Sequence, residues 1–122
     1  MRYRAETIPG KKRGAGLGFP TLNLVIPDRL NTEYGYGIYA GFVWIEDQQY
    51  PGAFHYGPIP VFDEEAPSLE VFVIDAKIEG MPREVFFKLT EKIRDVQNFK
   101  TPAELTKQME RDVATVREIL KK

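Results

Sequence analysis

The sequence predicts a mainly β protein: a six-stranded antiparallel, Greek-key-like β-barrel with one C-terminal α-helix packed on it. Three observations predict this. Six short segments rich in β-branched and aromatic residues follow one another, with Pro and Gly between them. A single amphipathic helical pattern comes last. Closure into a barrel removes the exposed edges that six consecutive strands would otherwise leave.

The strand-like segments are Arg2–Ile8, Thr21–Ile26, Ile38–Ile45, Tyr50–Tyr56, Leu69–Ala76 and Glu84–Ile93. Pro27-Asp28, Gly35, Pro58 to Pro60 and Gly80-Met81-Pro82 punctuate them. Glu46-Asp47-Gln48-Gln49 reads as a hairpin turn. Pro27–Tyr36 and Gly57–Ser68 are the longest expected loops. The helix is expected at about residues 102–121. Thr101 suits its N-cap, Pro102 its first position, and Glu104 completes a Thr-x-x-Glu capping box. Leu105, Met109, Val113, Val116 and Leu120 form one apolar stripe, expected on the barrel, with Lys107, Glu110, Arg111 and Arg117 facing water.

Composition bounds the function. At 122 residues, 1–122 reads as a single domain large enough to bury a core unaided. There is no cysteine, which excludes disulfides, thiolate metal sites and a cysteine nucleophile, and fits a reducing cytoplasm. The N-terminal segment Met1-Arg-Tyr-Arg-Ala-Glu has no apolar core, so no secretory signal is expected. No apolar run approaches a membrane span. A net charge of −1 gives no support for nucleic-acid binding.

One stretch carries chemistry. Gly10-Lys-Lys-Arg-Gly-Ala-Gly-Leu-Gly-Phe-Pro-Thr-Leu-Asn23 sets four glycines and three cations before a Pro-Thr-x-Asn element. Glycines bend the backbone and let its N–H groups approach an anion. Lys11, Lys12 and Arg13 add positive charge. Thr21 and Asn23 are two apart, so both point to one side of an extended segment and offer oxygen to a divalent cation. Gly10, Lys12, Arg13, Gly14, Thr21 and Asn23 therefore suit a nucleotide and its Mg²⁺; a basic loop leading into a strand has the same composition. The stretch is neither a Walker A loop, which ends in Gly-Lys-Ser/Thr and opens a helix, nor a dinucleotide-binding turn.

Glu70 shares a face of its strand with Phe72 and Ile74. A carboxylate on an apolar face needs a partner or a task. A barrel-edge glutamate reaching water and a catalytic carboxylate both satisfy this. Asp75, on the opposite face, reads as a strand-end charge. His55 is the only histidine, so no pair of histidines can act together, and a surface or barrel-mouth position is expected.

The run Leu17-Gly-Phe-Pro-Thr-Leu-Asn23 resembles the Leu-Gly-Phe-Pro-Thr-Ala-Asn signature of riboflavin kinases. Further matches follow in the family's order: Tyr36-Gly-Ile-Tyr-Ala40; Tyr50-Pro-Gly-Ala53 with Gly57, Pro60 and Phe62; Leu69-Glu-Val71 with Ile74-Asp75; and Ile93-Arg94 with Phe99. The resemblance implies a β-barrel enzyme that moves the γ-phosphate of ATP to the ribityl 5′-hydroxyl of riboflavin, giving FMN and ADP, with Mg²⁺. It implies Glu70 as general base, Thr21 and Asn23 at the metal and nucleotide, and Arg94 and Phe99 beside the flavin. Without the resemblance, Arg94 reads as a surface arginine and Phe99 as the aromatic seating the helix start. The expected partners are these small molecules; a cytoplasmic monomer is expected, with no nucleic acid or membrane. FMN rather than FAD is the expected end product. Ala15, Lys12, Val61 and Val96 depart from the family's usual residues, and His55 stands where bacterial members usually carry asparagine. These departures leave a non-catalytic flavin- or nucleotide-binding barrel as the alternative.

Overall fold

The computed structural model describes residues 2–8, 21–59, 64–76 and 81–121. Its elements are β1 (Tyr3–Ile8), β2 (Thr21–Leu24), α1 (Leu30–Glu33), β3 (Gly37–Ile45), β4 (Gln48–Ile59), β5 (Glu64–Val73), β6 (Glu84–Arg94) and α2 (Pro102–Leu120). The strands close into a barrel in the order β1-β2-β5-β4-β3-β6. Every neighbouring pair is antiparallel. β2 neighbours β5 across the β3–β4 hairpin, which is the Greek-key feature.

Alternation builds the core. Tyr3, Ala5, Leu22, Leu24, Tyr39, Val43, Phe54, Tyr56, Leu69, Val71, Val85, Phe87 and Leu89 point inward and pack as one cluster. Leu30 of α1 joins them with no exposed surface. The expected Pro27–Tyr36 loop therefore holds a short helix that fills one end of the barrel. Tyr56 and Tyr3 donate their hydroxyls to Asn31 and Glu33 of that helix, so each buried ring keeps its polar tip satisfied.

Helix α2 lies on the outside of the barrel. Val113, Val116, Ile119 and Leu120 pack against Ala40, Ala53, Phe72, Ile74 and Ile93. Val116 is fully buried, and burial of such a side chain is worth about 1.5–2 kcal/mol. Leu105 and Met109 are only half-buried. Thr101 caps the helix, its Oγ1 accepting from the Glu104 N–H at 3.2 Å. Glu104 reaches back to the N–H of Lys100 at 2.9 Å, one residue earlier than a capping box requires. Arg117, on the wet side, pairs with Asp75 at 2.8 Å.

Four boundaries differ from expectation. The hairpin turn is only Glu46-Asp47, with φ of 50° and 70°, so Gln48 and Gln49 begin β4. Two left-handed residues give the twist that a tight hairpin needs. The expected Gly57–Ser68 loop is largely strand: Gly57 pairs with Ser68 and Ile59 with Glu64, across an irregularity at Pro58. Proline cannot donate to the ladder, but a bulge accommodates it. β2 stops at Leu24, opposite Leu69, and β5 stops at Val73, where Ile74 and Asp75 turn away, Asp75 with φ of 60°.

Candidate active site

Register brings the candidate residues together. Residues directly opposite each other in a ladder share a face. Asn23 on β2 faces Glu70 on β5, and Glu70 faces His55 on β4. His55 faces Ile38 on β3, and Ile38 faces Arg94 on β6. The five form one row across the outer wall of the barrel. Thr21 stands two residues before Asn23, opposite Phe72.

Glu70 is 8% exposed, on the outer face beside the residues that receive helix α2. It is not a barrel-edge glutamate reaching water. The inward positions on either side, Leu69 and Val71, fill the core and fix its direction. Thr21 Oγ1 is buried and has no hydrogen-bond partner among the described residues. An unsatisfied buried hydroxyl costs about 1–3 kcal/mol, so its retention calls for a ligand. Thr21 and Asn23 offer neutral oxygens on one face, a donor set that fits a hard divalent cation completing its shell from phosphate and water. Among the described residues no three His, Asp or Glu side chains converge.

Gly10, Lys12, Arg13 and Gly14, with Lys11 and Ala15, lie outside the described residues. The strands that flank this segment are described: β1 ends at Ile8, which pairs with Asn23.

For His55 the expectation is a surface or barrel-mouth position. It is half-buried on the outer face of β4, and its Nε2 lies 3.1 Å from the carbonyl oxygens of both Gly57 and Pro58. Gly57 makes this turn of the chain with φ of 137°. A Cβ there would fall 2.9 Å from Val96 and 3.2 Å from Tyr36, so only glycine fits. Burial pushes the His55 pKa down, and the nearby Arg94 charge adds to this against the opposing effect of its backbone hydrogen bonds.

Arg94 is not a surface arginine. It makes a bidentate ion pair with Asp112 of α2, Nε to Oδ1 at 3.0 Å and Nη2 to Oδ2 at 2.7 Å. Its Nη1 donates to the Asp95 carbonyl at 3.0 Å, and Gln108 Nε2 donates to Asp112 Oδ1 at 3.0 Å. Phe99 lies under the guanidinium, with 5.9 Å between Cζ and the ring centroid. Phe99 is half-buried just before the helix, so one aromatic ring both meets Arg94 and precedes the cap.

Asp112 is the residue that sequence reasoning missed. It is one of two buried charged residues among those described, the other being Glu70. A signal was present: Asp112 lies four residues before Val116, inside the helical stripe that faces the barrel. A charge in that stripe needs a buried partner.

The family model for riboflavin kinase, Flavokinase, matches residues 1–120. The bifunctional riboflavin kinase/FMN adenylyltransferase of Bacillus subtilis (strain 168) is 34% identical over 111 residues, covering 86% of this chain and 34% of that protein. Its counterpart in Escherichia coli (strain K12) is 32% identical over 114 residues, covering 93% and 36%. The chain thus spans about a third of the length of these relatives. Among solved structures, a macrolide-efflux protein from Streptococcus pneumoniae superposes with a TM-score of 0.79 at 29% identity, covering 95% of this chain and 38% of that one. Riboflavin kinase from Trypanosoma brucei superposes with a TM-score of 0.66 at 21% identity, covering 99% and 80%. No helix among the described residues is long and apolar enough to cross a membrane. With the barrel and a family match along nearly its whole length in agreement, the chain belongs to the riboflavin kinase family.

Proposed function

We propose that this chain phosphorylates riboflavin, using ATP as donor and the ribityl 5′-hydroxyl as acceptor. The observation that carries this reading is Glu70: a buried carboxylate in register with Asn23 and His55, near the unsatisfied hydroxyl of Thr21. The 5′-oxygen attacks the γ-phosphorus. The bond from that phosphorus to the bridging oxygen breaks, ADP leaves, and the hydroxyl proton passes to Glu70. Catalysis of this kind is mostly positioning and charge neutralisation.

Thr21 and Asn23 would hold a divalent cation together with the nucleotide. When bound, it would neutralise charge on the transferring phosphoryl group. Gly10, Lys12, Arg13 and Gly14 are assigned to the phosphates on the sequence pattern alone. Arg94 and Phe99 are assigned to the flavin, Arg94 through the N–H groups that Asp112 and Asp95 do not use.

Incubation with riboflavin, ATP and Mg²⁺ should yield FMN and ADP, separable by chromatography. Glu70→Gln keeps size and hydrogen bonding but cannot take the proton. Its kcat should fall by about 10²-fold or more, with riboflavin binding little changed. Flavin binding without FMN, across several nucleotides and metals, would instead favour a regulatory barrel. Near-normal turnover in Glu70→Gln would remove Glu70 from the mechanism.

A further inference from the structure

His55 stands one strand from Glu70 in the outer row, between the proposed base and Arg94. Neighbouring strands are about 4.8 Å apart. That is the reach from the hydroxyl losing its proton to one a carbon or two along the same polyol chain. The ring is held by its Nε2. Both partners of Nε2, the carbonyls of Gly57 and Pro58, only accept, so Nε2 carries the hydrogen. In the neutral ring Nδ1 is then a bare lone pair. It has no hydrogen-bond partner among the described residues. Burial favours the neutral ring at pH 7.

We propose that His55 is a specificity residue: its Nδ1 accepts a hydrogen bond from a secondary hydroxyl of the acceptor's polyol chain, next to the hydroxyl that is phosphorylated. The row then follows the acceptor. Asn23 serves the phosphate end, Glu70 the reacting oxygen, His55 the polyol and Arg94 the flavin end. This rests on the riboflavin kinase reading above. Its consequence is discrimination, because an acceptor lacking the secondary hydroxyls leaves Nδ1 without its donor.

The test compares riboflavin with 10-(5-hydroxypentyl)-flavin, which keeps the terminal hydroxyl and lacks the others. Wild-type kcat/KM should favour riboflavin. In His55→Gln the side-chain amide takes the place of Nε2, keeping the backbone anchor and losing the Nδ1 acceptor. In His55→Asn the amide oxygen takes the place of Nδ1 and the anchor is lost. Preference for riboflavin should fall about tenfold in His55→Gln and persist in His55→Asn, as expected for one neutral hydrogen bond. An anchoring role alone predicts the reverse order, and that result would overturn the proposal. So would a wild type that treats the two acceptors alike, an outcome that needs no variant to fold. Failure of the wild type to bind or phosphorylate either flavin would overturn the riboflavin kinase reading, and this inference with it. Normal turnover of riboflavin with an unchanged preference in His55→Gln would overturn this inference alone.

Discussion

Thr21 holds a hydroxyl that nothing in the described structure satisfies. Such a group destabilises the ligand-free protein and is retained for what it binds. Thr21→Val removes the oxygen and keeps the shape. The ligand-free variant should melt at a higher temperature than wild type, while Mg²⁺-nucleotide binding, read by calorimetry, weakens. A lower melting temperature with unchanged binding would make Thr21 structural. His55 gives a second residue-level test. Its pKa is lower in the folded protein than in the unfolded chain, because burial penalises the imidazolium. Between the two values the unfolded chain binds more protons, so stability rises with pH there. The contribution is complete above the unfolded value of about 6.5 and is lost as pH falls through the folded one. As the only histidine, His55 should dominate the fall in melting temperature as pH drops below about 6.5. His55→Asn should flatten that fall; an unchanged slope would assign it to other groups.

Elements are joined at the site by the Arg94–Asp112 pair. Helix α2 packs on the barrel through small aliphatic contacts at its C-terminal half. Near its middle it is also tied to β6 through a nearly buried ion pair, with side-chain exposures of 16% and 7%. Removing one partner leaves the other charge poorly solvated. Asp112→Ala should therefore cost about 3 kcal/mol, measured by urea unfolding. The low end of the usual range is expected because the guanidinium can still reach water. If Arg94 also meets the flavin, the same variant should weaken riboflavin binding. The helix itself was legible, cap and stripe alike, since capping chemistry is local. The ion pair was not, because its members are eighteen residues apart and belong to different periodicities.

The whole molecule closes at an uneven seam. Nine residue pairs join β3 to β4, whereas among the described residues only Thr7↔Leu24 and Ile8↔Asn23 join β1 to β2, followed by one hydrogen bond from Val25 N to Glu6 O at 2.9 Å. Short pairing opens more readily than long pairing. In hydrogen–deuterium exchange, peptides covering β2 should take up label faster than those covering the β3–β4 hairpin. Mg²⁺-nucleotide should slow β2 selectively, because Thr21 and Asn23 lie on it. Equal protection of both regions, with or without nucleotide, would count against a site on this seam.

The amino-acid sequence by itself determined the barrel-plus-helix architecture, because alternation, turn residues and helix caps are local features that each segment carries alone. It also pointed to Thr21, Asn23 and Glu70, through residue chemistry and a resemblance whose motifs run in order along the chain. The tertiary structure decided which residues stand beside which. Cross-strand register is a long-range property, and only closure of the barrel sets Asn23, Glu70, His55 and Arg94 in one row. The same packing buries Asp112, which reads from sequence as one more charge on a helix, and gives it Arg94 as a partner. It turns His55 from a solitary surface residue into a ring fixed by two backbone carbonyls, since the bend at Gly57 that aims those carbonyls exists only once β4 and β5 have paired around it.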